Sequence, residues 1–183
     1  MRIEQTPLVD CFIVHEKVHG DARGYFIETF NQRDFNAASG LDILFVQDNQ
    51  SRSSKGVLRG LHMQRGAAAQ AKLVRVLEGS VLDIAVDLRK GSPSFGQHYA
   101  IELTADNHKQ FFVPAGFAHG FVVLSEAATF FYKVDKFYEP GNEVGIMYND
   151  KDLNIDWRLS ESEIILSEKD KIAKDFSNFE SPF

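Results

Sequence analysis

The sequence predicts an all-β protein, a jelly-roll sandwich or barrel with short peripheral helices, mainly near the C-terminus. Three observations predict it. Short apolar runs follow one another from Lys72 to Asp150 with turn residues between them. No helical stretches separate those runs, which argues against a parallel α/β sheet. The aromatic content is weighted to phenylalanine, 16 Phe against 5 Tyr, as stacked sheets favour.

The elements are expected in this order. Residues 9–14 (VDCFIV) form a strand. Gly20-Asp21 and Gly24 make a turn, and Tyr25 to Phe30 then alternates, with Arg23 and Glu28 at the ends of the unit. Asn31 caps a helix over QRDFNAAS that Gly40 closes. Residues 42–46 (DILFV) return to strand, and QDNQSRSS reads as a polar loop in which Gln47 and Asn49 are able to face a ligand. KLVRVLEG and SVLDIAVDLR read as a hairpin around Glu78-Gly79. Leu82, Ile84, Val86 and Leu88 share one parity and Asp83, Ala85 and Asp87 the other, a half-buried strand. HYAIEL, KQFFV, FVVLS and TFFYKVDKFY are further strands, with PAGFAHG as a turn. Ser160 or Ser162 starts a helical tail through SEKDKIAKDF.

A length of 183 residues predicts one domain, 1–183, with enough chain for a core. The net charge of -6 gives no field for nucleic acid. Cys11 is the single cysteine, and no apolar run has the form of a leader or a membrane span, so a soluble cytoplasmic protein is expected.

Chemistry concentrates between Gly56 and Val76, where Arg59, His62 and Lys72 interrupt otherwise apolar strand sequence. Buried charge needs a partner or a task. A histidine between two cations is a poor proton acceptor unless a carboxylate stands behind it. Metal binding is not expected. His62-Met63-Gln64 lacks a second imidazole on its face, His119 stands alone between Ala118 and Gly120, and His15, His19, His98 and His108 form no ligand set. There is no serine elbow, dinucleotide fingerprint or P-loop, and Cys11 sits among apolar residues. Acid–base chemistry remains: His62 as base, Tyr132 as acid, and Lys72 as the cation for charge developing on oxygen. Each also has a plain packing role, so spacing alone leaves the choice open.

At these residues the sequence resembles the dTDP-4-dehydrorhamnose 3,5-epimerase family, through DARGYFIETF, QDNQSRSSKGVLRGLHMQ, QAKLVRVLEGSVLDIAVDLRKGSPSFG, FVPAGFAHGFVVLS, YEPGNEVGI and LSEKD. The resemblance implies a cupin-type jelly roll, a homodimer, no metal or organic cofactor, and a dTDP-4-keto-6-deoxyhexose substrate. It implies that His62 is the general base, Asp170 its carboxylate partner, Tyr132 the acid on the opposite sugar face, and Lys72 the lysine near the C4 oxygen. It further implies that Arg23, Glu28, Gln47, Asn49, Arg59, His119, Tyr138, Glu143 and Lys169 line the nucleotide–sugar site, with Arg23, Arg59 and Lys169 meeting the diphosphate. Met63, the RGAAAQ connection, His98 and Tyr148 depart from the usual family pattern. Sister enzymes that act at C3 only or C5 only, a non-catalytic sugar-nucleotide module, and a metal-dependent cupin oxygenase are the competing classes.

Overall fold

A computed structural model describes Met1–Phe183. Two antiparallel sheets face each other. The first has the order β1 (Arg2–Gln5), β2 (Phe12–His15), β10 (Gln110–Val113), β7 (Lys72–Glu78), β12 (Ala127–Val134) and β5 (Gln47–Ser54). The second runs β13 (Glu143–Gly145), β6 (Leu58–Gln64), β11 (Phe117–Val123), β8 (Ser80–Asp87) and β9 (His98–Thr104). β3 (Val18–Asp21) and β4 (Gly24–Ile27) form a separate hairpin.

Apolar side chains fill three layers. Val74, Val76, Phe111, Ala85, Phe121 and Phe130 pack between the sheets. Leu82, Ile84, Val86, Leu61, Met63 and Trp157 lie on the outer face of the second sheet, under residues 144–179. Phe12, Leu73 and Phe112 lie on the outer face of the first sheet, under Phe35 of the helix α1 (Gln32–Ser39). Asn31 caps that helix by accepting a hydrogen bond from the Asp34 amide, and Gly40 closes it, as expected.

The central strands therefore have two buried faces, and β8 is buried along nearly its whole length. Its Asp83 parity faces the space between the sheets, where the sequence pattern pointed to solvent. The Glu78–Gly79 turn is not a hairpin. β7 pairs with β10 and β12, β8 pairs with β11 and β9, and the chain changes sheet at the turn.

Four further expectations change. Residues 42–46 are not strand, because Leu44 and Val46 are exposed and Ile43 and Phe45 only cover the helix side of the first sheet. The supposed loop QDNQSRSS is strand β5, paired along its length with β12. PAGFAHG contains a turn only at its start, since β11 begins at Phe117 and includes His119. The tail contains single 3-10 turns at Glu161–Glu163, Asp170–Ile172 and Phe176–Asn178 in place of a helix. It is fastened by the short parallel bridges Val57–Ile165 and Ile146–Lys174, and such pairing leaves no room for helical hydrogen bonds.

One irregularity positions the functional strand. Opposite the two-residue step from His119 to Phe121, β6 takes three residues, from His62 to Arg59. The extra residue breaks the alternation, so an odd and an even position of β6 can both point between the sheets. The strands come very close here. A Cβ on Gly60 would lie 2.6 Å from the Gly120 Cα, and one on Gly120 would lie 2.7 Å from the Arg59 carbonyl oxygen. The Gly60 φ of +119° also favours glycine.

Candidate active site

A cavity of about 620 Å³ opens between the sheets. β6 brings Arg59 and His62 to it, and β11 brings His119. From the facing sheet come Lys72 at the start of β7, Tyr132 on β12, and Asn49 on β5, which pairs with Tyr132. The tail adds Lys169 and Asp170, and β13 adds Glu143. Lys72 shares the inward parity of Val74 and Val76, and Tyr132 that of Phe130, so strand alternation turns both toward the cavity that His62 also lines.

His62 and Asp170 are hydrogen-bonded through Nε2 and Oδ1, although 108 positions separate them. Ser167 Oγ donates to the other carboxylate oxygen of Asp170 at 2.8 Å. Burial raises the Asp170 pKa, but the hydrogen bond and charge of His62, with Ser167 and Lys169, outweigh it and hold the carboxyl below its usual range. The carboxylate thus stays ionised, orients the ring and leaves Nδ1 free. Glu143 Oε1 is 3.7 Å from that Nδ1.

On the facing wall, burial lowers Lys72 to about 8, with the negative charge of Asp83 opposing the fall. Burial likewise raises Tyr132, against the lowering effect of Arg59, so at neutral pH it remains a phenol able to donate a proton. His119 Nε2 lies 2.9 Å from Asp83 Oδ1, and both side chains are buried. Burial lowers the His119 pKa despite Asp83, and raises that of Asp83 despite His119 and Lys72. With Nε2–H donated to Asp83, Nδ1 of a neutral His119 is left to accept a hydrogen bond. Arg59 donates from Nε to Ser53 Oγ at 3.1 Å, which leaves the two terminal nitrogens of its fork unengaged by that bond.

The rim holds two more of the expected residues. Gln47 donates to Asn49 at 2.9 Å and accepts from the Tyr138 amide, and the Tyr138 hydroxyl donates to Glu143 at 2.8 Å. Arg23 and Glu28 are not brought to this cavity. Arg23 sits on the tip of the β3–β4 hairpin, paired with Asp21, and Glu28 follows the hairpin on the surface. Asp83, Ser167 and Ser53 had escaped the sequence reading. Asp83 was hidden by its parity, whereas the Ser167-x-x-Asp170 spacing is a capping pattern that could have found Ser167.

This arrangement sets a carboxylate-supported imidazole from one sheet against a partly buried phenol and a partly buried ammonium from the other. It can remove a proton from one face of a carbon acid, stabilise the resulting oxyanion and return a proton to the other face. No group of three or more His, Cys, Asp or Glu side chains is arranged to hold a metal ion. No helix is long and apolar enough to cross a membrane.

Comparison with known proteins identifies the family. The family profile described as dTDP-4-dehydrorhamnose 3,5-epimerase matches residues 5–178. The chain belongs to this family. A dTDP-4-dehydrorhamnose 3,5-epimerase of Pseudomonas aeruginosa is 51% identical over 178 residues, covering 97% of each chain. The crystal structure of the dTDP-4-dehydrorhamnose 3,5-epimerase of Elizabethkingia anophelis is 55% identical and superposes with a TM-score of 0.94 over 97% of each chain. A 3,5-epimerase of Legionella pneumophila, solved in complex with dTDP-4-keto-L-rhamnose, is 46% identical with a TM-score of 0.93, over 98% of this chain and 94% of its own. The epimerase fold of these relatives is the cupin-like jelly roll that the strand pattern predicted.

Proposed function

We propose that the chain epimerises dTDP-4-dehydro-6-deoxy-D-glucose at C3 and C5, giving dTDP-4-dehydro-L-rhamnose. The observation that carries the reading is the His62–Asp170 dyad facing Tyr132 and Lys72 across one cavity. The C4 ketone acidifies the hydrogens on C3 and C5. His62 takes one of them through Nδ1, Lys72 holds the enolate oxygen at C4, and Tyr132 delivers a proton from the opposite face. Inversion at both carbons converts the D sugar to the L sugar. No electrons leave the substrate, so the steps call for no redox cofactor.

Arg59 and Lys169 bind the diphosphate, and Gln47, Asn49, Tyr138 and Glu143 meet the nucleoside and sugar along the rim. His119, held by Asp83, accepts from a sugar hydroxyl. Arg23 and Glu28 join the site from a second copy. The support is a hairpin whose Tyr25 and Phe26 are 62% and 69% exposed, alongside an exposed Leu44 and Phe137. The functional unit is thus a homodimer of one cupin-like domain, 1–183, working in the cytoplasm without nucleic acid or membrane.

Proton NMR of the substrate with the protein in heavy water tests the reading, with a 4-reductase trapping product. Deuterium at C3 and C5 with trapped dTDP-L-rhamnose is the expected result. Deuterium at one carbon with a different trapped sugar would assign a C3-only or C5-only epimerase, and none at either would leave a binding module.

A further inference from the structure

Two successive inversions with one base require His62 to lose its first proton before it takes a second. Nε2 is held by Asp170, so that proton sits on Nδ1 and leaves from there. Glu143 Oε1 lies 3.7 Å from Nδ1, within reach of a small ring rotation. The Glu143 side chain is only 14% exposed and is ion-paired with Lys169. A second cavity of about 370 Å³ shares His62, Glu143 and Lys169 with the first. Its other walls include the exposed Arg65, Lys174 and Glu180, so it reaches water, and Tyr132 does not line it.

We propose that Glu143 is the proton outlet of His62 and that the second cavity is its port to solvent. This rests on the epimerase reading above. The His62 Nδ1–H bond breaks as a Glu143 O–H bond forms. Glu143 then passes the proton to water in the second cavity, restoring the neutral imidazole while substrate still fills the first. Tyr132, left as phenolate, takes a proton from water, so one proton leaves and one enters. Glu143 acts through His62 and is a relay, distinct from the groups that touch the reacting carbons.

The test follows solvent deuterium into C3 and C5 by NMR under single-turnover conditions, comparing the unaltered chain with Glu143→Gln. Both exchanges are read at saturating substrate, and the ratio of the second rate to the first, which weaker substrate binding alone would not change, is expected to fall at least tenfold. Imidazole in the buffer, small enough for the second cavity, should restore the second exchange in proportion to its neutral form. Glu143→Asp should recover part of it. Equal slowing at both carbons, no slowing, or no rescue by imidazole would overturn the proposal. Ala173→Leu, which narrows the second cavity and leaves Glu143 in place, keeps the test open if the glutamine variant misfolds. It should slow the second exchange selectively, and equal slowing at both carbons or no slowing counts against the port. Failure of the unaltered chain to exchange at either carbon would instead sink the epimerase reading itself.

Discussion

Replacing Lys72 by methionine should make the folded chain more tolerant of neutral pH while abolishing turnover. Methionine keeps the unbranched stem and removes the ammonium. Burial lowers the Lys72 pKa from its ordinary 10.5 to about 8 in the folded chain. A gap of that size corresponds to ~3 kcal/mol of desolvation cost, present in full below about pH 8. Between the two values the unfolded chain keeps a proton that the folded chain gives up, so the stability of the unaltered chain rises with pH there. The variant has no such cost, and its advantage is greatest at pH 7 and smallest at pH 10. The attraction of Asp83 opposes the fall and is already contained in the value of about 8, so it is not subtracted again. The expectation is a gain of ~3 kcal/mol at pH 7, or about 6–12 °C in Tm. At pH 10 the folded Lys72 is already neutral, and the gain shrinks to ~1 kcal/mol. Urea unfolding at the two pH values measures the difference, and the deuterium assay should show turnover reduced at least ~100-fold. A stability change that is the same at pH 7 and pH 10 would refute the picture of Lys72 as a desolvated cation.

Three other outcomes are expected. Tyr132→Phe should still admit deuterium at the carbon that His62 deprotonates, but trapped L-sugar should fall at least ~100-fold, because the opposite face has lost its donor. Gly56→Ala should cost ~2 kcal/mol or more and lower kcat with it. Its φ is +80°, and an added Cβ would lie 2.1 Å from the Glu163 carbonyl oxygen, pushing away the tail that carries Asp170. Denaturant titration and steady-state rates check both effects. Phe26→Ser should shift the sedimentation equilibrium toward monomer and raise KM for substrate, and an unchanged dimer with unchanged KM would remove the hairpin from the site.

The parts of the fold that were legible in the sequence are those where side chain and backbone signals coincide. The helix Gln32–Ser39 had an asparagine at one end and a glycine at the other, and both caps are where that pattern implies. β8 through β12 alternate or run apolar, and they are strands. Strand β5 was hidden because its inward residues, Gln47, Asn49, Ser51 and Ser53, are polar. They face a cavity and its hydrogen-bond partners, so accessibility alternates along β5 while hydrophobicity does not. The apparent hairpin at Gly79 was misleading for another reason. A short turn between two strands does not reveal whether the strands pair or part to different sheets. In the site, His62, Arg59 and Lys72 were visible as charges in apolar sequence. Asp170 carries no local mark of its link to His62, and it was reached only through resemblance to a known family. Asp83 looked like a solvent-facing residue because strand parity cannot tell which face a second sheet will cover.

The crossing of Gly60 and Gly120 bears on how damage to this protein would be read. Neither residue has a side chain to offer to chemistry, yet both sit where β6 and β11 nearly touch, between Arg59 and His62 on one strand and beside His119 on the other. A methyl group at either position would force the strands apart and swing those three side chains out of alignment. In a survey of random substitutions, alanine at these two positions would be scored with the loss of the base itself. Intolerance in such a survey would then mark out spacing as well as reactivity, and the two could be separated only by asking whether the nucleotide still binds.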